Sequence, residues 1–90
     1  MPKRILAVDD DPSICTFFKA VLELEGYEVV TAEDGKKAIR AFNEMEFDLV
    51  ITDIVMPEKE GLETIRELRG IAGKDFPIIA ISGGGSVDPE

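Results

Sequence analysis

Apolar and polar positions along the chain fall into two alternating kinds of block. Short runs rich in apolar and β-branched residues stand at "RILAV" (4–8), "YEVVT" (27–31), "DLVITD" (48–53) and "PIIAIS" (77–82). Their length and near-continuous apolarity predict strands buried on both faces. The segments between them have a helical period. Ile14, Phe17, Phe18, Val21 and Leu22 recur at that spacing in "DPSICTFFKAVLELEG", as do Ala38, Ile39, Phe42 and Met45 in "EDGKKAIRAFNEM", and Leu62, Ile65 and Leu68 in "EGLETIRELRG". Asp11 suits a helix cap, Pro12 the first helical position, and Gly26 and Gly70 the helix ends. "SVDPE" (86–90) has the form of a fourth helix start, with Asp88 as cap and Pro89 after it. Strands alternating with helices imply right-handed βαβ units and a parallel sheet with helices on its faces.

Composition narrows the function classes. The chain has 90 residues, 44% of them hydrophobic and 32% charged, the size and balance of one globular domain. No run reaches the roughly 18 apolar residues of a membrane span. The start "MPKRILAVDDDP" is basic, but its apolar run is short and ends in acid, unlike a signal peptide. A cytoplasmic location is therefore expected. With 19 acids against 10 bases the net charge is −9, which repels nucleic acid phosphate and argues against nucleic acid as a partner. One cysteine, Cys15, and no histidine leave neither a disulfide nor an ordinary zinc site, while hard cations with oxygen ligands remain open. Cys15 reads as a core residue of the first helix.

The acids carry the candidate chemistry. "LAVDDDP" ends an apolar run in three consecutive aspartates. In open α/β sheets, ligands sit beyond the carboxyl ends of the strands. Asp9 and Asp10 stand at the end of the first strand, Asp53 at the end of the third, and Ser82 at the end of the fourth. If the first and third strands are neighbours, three carboxylates converge on one rim. Asp11 is assigned to capping instead. Like charges held this close raise one another's pKa, and a divalent cation relieves the repulsion. Few protein ligands, all oxygen, suit Mg²⁺. A carboxylate beside Mg²⁺ can accept a phosphoryl group as an aspartyl phosphate.

Three strings, "ILAVDDDP", "DLVITDIVMPEKEGLE" and "PIIAISGG", resemble the receiver domain of bacterial response regulators, the phosphoacceptor module of two-component signalling. The most specific element is D-x-x-M-P-x-x-x-G, from Asp53 through Met56 and Pro57 to Gly61, with an acidic pair 43 and 44 residues upstream. The resemblance implies a flavodoxin-like α/β fold with strand order 2-1-3-4. It implies that Asp53 is the phosphoacceptor and that Asp9 and Asp10 bind Mg²⁺ together with Asp53 and the backbone carbonyl of Val55. Ser82 corresponds to the switch hydroxyl, and Ile54 and Gly83 to backbone N–H groups that contact phosphate. The implied donor is a phosphohistidine on a sensor histidine kinase, or a small phosphodonor.

Family receivers continue through a fifth strand and two further helices, and their lysine at the end of strand five has no counterpart in these 90 residues. Lys59 and Lys74 stand on other segments. The expectation is one incomplete receiver domain over 1–90, lacking strand five and helices four and five, with impaired phosphorylation. A second reading is a non-phosphorylatable module that self-associates through the exposed edge of strand four. A phosphohydrolase is disfavoured because Val55 stands where such enzymes carry a second acid. The chain is thus read as a phosphoacceptor and not as an enzyme.

Overall fold

A computed structural model describes residues 2–53 and 60–81. The elements run β1 (Arg4–Val8), α1 (Pro12–Leu24), β2 (Glu28–Ala32), α2 (Gly35–Glu44), β3 (Leu49–Asp53), α3 (Glu60–Ala72) and β4 (Ile78–Ile81). The strands form one sheet in the order β2-β1-β3-β4, and every pair is parallel. This is the expected flavodoxin-like arrangement, with four strands and three helices among the described residues.

Alternation along each strand sends neighbouring side chains to opposite faces. On one face Leu6, Val8, Ala32 and Val50 pack with Ala38 of α2 and Leu68 of α3, joined by Phe42, Phe47 and Phe76. Phe42 stacks on Phe47 with centroids 6.0 Å apart and meets Phe76 edge-on at 5.3 Å. On the other face, Leu22 of α1 lines a groove with Ile5, Leu49, Ile51 and Ile79. The buried pattern of β1 and β3 agrees with strands covered on both sides.

The helix ends follow their sequence signals in most places. Asp11 accepts the Ser13 N–H at 2.9 Å, with Pro12 in the first turn, and Asp34 caps α2 through the Lys37 N–H at 2.8 Å. At the far end of α1, the Tyr27 N–H reaches the Leu22 carbonyl and the Gly26 N–H reaches Glu23. That paired closure requires a left-handed residue, and Gly26 supplies it at φ +96°.

Five positions depart from the pattern. Gly70 does not end α3; the helix continues to Ala72, and Gly73 closes it at φ +95° with its N–H on the Arg69 carbonyl. Glycine inside a helix costs only about 1 kcal/mol against alanine, so packing overrides it. Phe17 and Val21 are exposed, because the apolar arc of α1 is wider than the sheet face it covers, which takes Cys15, Phe18 and Leu22. Met45 is exposed because it is the extended C-cap of α2, beyond the helical period. Leu62 is exposed because α3 turns Gly61, Thr64, Ile65 and Leu68 inward, and a threonine in that stripe hid it from the apolar count.

Arg69 fastens the turn into β4. Its Nη1 donates to the carbonyls of Gly73 at 3.3 Å, Lys74 at 3.2 Å, and Phe76. Lys74 therefore sits at the amino edge of the sheet, opposite the edge where the strands end.

Candidate functional site

Parallel pairing brings every strand's carboxyl end to one edge. Val8 of β1 is in register with Thr52 of β3, so the residues that follow them, Asp9 and Asp53, share the next position along the sheet. Asp53 is the last residue of β3 and lies opposite Ile81 of β4. The Asp9 N–H donates to the Ala32 carbonyl at 3.1 Å, extending the β1–β2 ladder by one step. Asp9 and Asp53 are buried at 1% and 3% exposure, while Asp10 is exposed. One carboxylate oxygen from each of the three lies within 4.8 Å of the others.

Asp9 is the constrained member. Its Oδ1 accepts the Asp11 N–H at 2.9 Å, whereas its Oδ2 is buried and has no hydrogen-bond partner among the described residues. Burial pushes its carboxyl above the ordinary value of 3.8. The Asp11 hydrogen bond works against that shift, and the charges of Asp53, Asp10 and Asp11 add to it. Burial thus leads, ahead of the mutual repulsion that the sequence suggested.

Cys15 is buried in the first turns of α1, with Sγ 3.3 Å from the Asp9 carbonyl and 3.8 Å from that of Ala32. Burial, and after it the Asp9 charge, pushes its thiol above the ordinary value of 9.0.

Of the residues the sequence put forward, Asp9, Asp10 and Asp53 are brought together. Ile54, Val55, Ser82 and Gly83 lie outside the described residues, as do Lys59 and the 86–90 segment. Two contacts escaped sequence reading. Asp11 does cap α1, and its main-chain N–H also holds the Asp9 carboxylate; a main-chain donor leaves no mark in residue type. Cys15 is a core residue as expected, and its contact with the Asp9 carbonyl had no sequence signal.

The donor set suits a hard divalent cation. It is all oxygen, it is gathered at one point, and the orphaned Asp9 Oδ2 is a buried anionic atom in need of a positive partner. Residues that would hold the ion are Asp9, Asp10 and Asp53.

The family model described as "Response regulator receiver domain" matches residues 5–89. The CAI-1 autoinducer sensor kinase/phosphatase CqsS of Vibrio cholerae is 44% identical over 86 residues, which is 93% of this chain and 12% of CqsS. The chain spans 12% of the length of CqsS and 37% of that of the response regulator MprA of Mycolicibacterium vanbaalenii, to which it is 39% identical over 87 residues. Among solved structures, the chemotaxis protein CheY4 of Vibrio cholerae superposes with a TM-score of 0.84 at 36% identity, covering 89% of this chain and 68% of that one. The response regulator TrrA of Thermotoga maritima, solved in complex with Mg²⁺ and BeF, is 48% identical with a TM-score of 0.73, covering 78% of this chain and 61% of that one. In its complex with the histidine kinase ThkA, the match is 43% identical with a TM-score of 0.81, covering 98% of this chain and 75% of that one.

The raised Asp9 carboxyl sets a pH dependence for the metal-free protein. Between the unfolded and folded values the folded state binds the extra proton. The contribution to stability is whole below the unfolded value and is lost as pH rises through the folded one. Urea unfolding across pH in the presence of chelator is expected to show this fall in the parent and a flatter profile in Asp9→Asn. Near neutral pH, Asp9→Asn is expected to be more stable than the parent by about 1–3 kcal/mol, the cost of an unsatisfied buried polar group. A less stable Asp9→Asn at neutral pH would contradict the assignment.

Proposed function

The chain belongs to the response regulator receiver domain family, and from that premise we propose that Asp53 accepts a phosphoryl group beside a Mg²⁺ ion held by Asp9, Asp10 and Asp53. The observation that carries this reading is the convergence of three carboxylates at the carboxyl edge of the sheet, one with a buried, unpartnered oxygen. That TrrA has been solved with Mg²⁺ and BeF supports it.

Asp53 is fixed by the ladder of β3, so its carboxylate is presented without a loop's freedom. In the transfer a carboxylate oxygen of Asp53 bonds to phosphorus as the donor's bond to phosphorus breaks, and the bonding pair leaves with the donor. The donor is a phosphohistidine nitrogen of a sensor kinase, or the acetate of acetyl phosphate; acetate leaves as the anion with no proton transfer, and the imidazole leaves neutral when its other ring nitrogen carries a proton. A bound Mg²⁺ supplies positive charge to the phosphoryl oxygens. Asp9 and Asp10 provide the anionic oxygens that keep the ion beside Asp53. The reading further assigns the backbone carbonyl of Val55 to the metal, the N–H groups of Ile54 and Gly83 to phosphate, and the hydroxyl of Ser82 to the switch. These four lie outside the described residues.

The partner is a sensor histidine kinase, a reading supported by the structure of TrrA bound to ThkA. The net charge of −9 argues against nucleic acid as a partner of this segment. No helix among the described residues is long and apolar enough to cross a membrane. The proposed location is the cytoplasm, where a kinase's phosphohistidine is met. Residues 1–90 are read as one receiver domain.

A second reading rests on a specific surface. Ile79, on the outer strand β4, is 48% exposed beside a groove of about 410 Å³ lined by Ile5, Leu22, Tyr27, Leu49 and Ile51. A second copy of the chain is the proposed occupant.

Two measurements test these readings. Intact-mass spectrometry after incubation with Mg²⁺ and acetyl phosphate is expected to show a Mg²⁺-dependent adduct of one phosphoryl group, lost in Asp53→Asn. An adduct that persists in that variant, or none in the parent, would overturn the acceptor role. Sedimentation velocity at micromolar concentration is expected to find a dimer that Ile79→Glu converts to monomer. A monomeric parent would sink the self-association reading.

A further inference from the structure

Cys15 is tied to the segment that carries the acidic pair by both its main chain and its side chain. Its N–H donates to the Asp11 carbonyl at 3.2 Å, and its thiol lies 3.3 Å from the Asp9 carbonyl. Asp11 in turn donates its N–H to Asp9 Oδ1 at 2.9 Å. These contacts close a ring through Asp9, Asp11 and Cys15. The Ala32 carbonyl, which receives the Asp9 N–H at 3.1 Å, stands 3.8 Å from the same sulfur. One small side chain, 6% exposed, therefore meets the carbonyls on both sides of the place where β1 leaves its ladder and turns into α1.

The consequence falls on the Asp9 carboxylate. Its Oδ1 is held by Asp11, and its Oδ2 is left buried and unpartnered. With the carbonyl held from one side and Oδ1 from the other, the residue has little freedom to turn Oδ2 elsewhere. We propose that Cys15 is a positioning residue, whose thiol holds the Asp9 main chain so that its carboxylate keeps its place beside those of Asp10 and Asp53, and which thereby sets the site's affinity for a divalent cation. This role rests on the acidic cluster being a cation site. It differs from core filling in one respect: it needs a donor at Sγ, and not merely an apolar group of the right volume.

Three variants separate the two roles. Cys15→Ser keeps a donor, Cys15→Ala removes it and shrinks the side chain, and Cys15→Val removes it while filling the space. Mg²⁺ affinity is read by calorimetric titration of the whole chain, and folding of each variant by urea unfolding in chelator. Outer-shell partners of metal ligands are typically worth about 10- to 100-fold in affinity, and a thiol donor is weak. The expected loss is therefore about 3- to 10-fold in Cys15→Ala and in Cys15→Val, with Cys15→Ser within about twofold of the parent. In metal-free nitrogen–proton spectra, the Asp11 amide is expected to shift in the two donor-free variants and to stay in place in Cys15→Ser. In an Asp9→Asn background the Cys15 substitutions are expected to have no further effect on residual Mg²⁺ binding. Parent-like Mg²⁺ affinity in either donor-free variant that folds would overturn the role, as would equal losses in Cys15→Ser and Cys15→Ala. No saturable Mg²⁺ binding by the parent would instead overturn the cation site, and this role with it.

Discussion

Three carboxylates share a space in which one oxygen from each approaches the others within 4.8 Å, and the most buried of them has an oxygen that no group among the described residues satisfies. Such crowding opposes folding through the desolvation of Asp9 first and through its acidic neighbours after that. A sheet selected for stability alone would place an amide or an apolar residue there. The arrangement becomes favourable only with a positive partner between the carboxylates. The same feature that weakens the metal-free fold is thus the one that, on the proposed function, equips it to gather a cation and, beside it, a phosphoryl group.

The rest of the molecule holds that unfavourable cluster in place. Parallel pairing in the order β2-β1-β3-β4 makes β1 and β3 neighbours, and the Val8–Thr52 register sets Asp9 level with Asp53. Leu6, Val8 and Val50 are almost fully buried one or a few residues before the acids, so the strands cannot slide to relieve the repulsion without exposing their apolar faces. Asp11 spans both structures, capping α1 with its side chain and holding Asp9 with its N–H. Cys15 adds the tie from the helix side.

Much of this was legible in the sequence because its causes are local. Asp9, Asp10 and Asp53 stand directly after apolar runs, and a parallel sheet delivers such residues to one edge regardless of side-chain detail. The Asp11, Pro12 and Gly26 signals follow from backbone requirements that residue type satisfies almost alone. Where the outcome depends on packing between distant segments, the sequence was less informative. Gly70 looked like a stop, but the inward stripe of α3 carries on past it, and Gly73 meets the left-handed requirement instead. Val21 looked like core because helical spacing does not say how wide an arc the sheet can cover. The links from Asp11 and Cys15 to Asp9 use main-chain groups, which every residue possesses, so no pattern of side chains could announce them.

The most direct test of the charge-crowding account is the thermal unfolding midpoint of the parent chain, measured in chelator and then across a Mg²⁺ titration, with NaCl of matched ionic strength as the control. The account predicts a rise with Mg²⁺ well beyond the effect of NaCl, one that keeps growing with the logarithm of Mg²⁺ concentration above the dissociation constant and is absent from an Asp9→Asn, Asp53→Asn double variant. Equal responses to Mg²⁺ and NaCl, or the same Mg²⁺ response in the double variant, would contradict it.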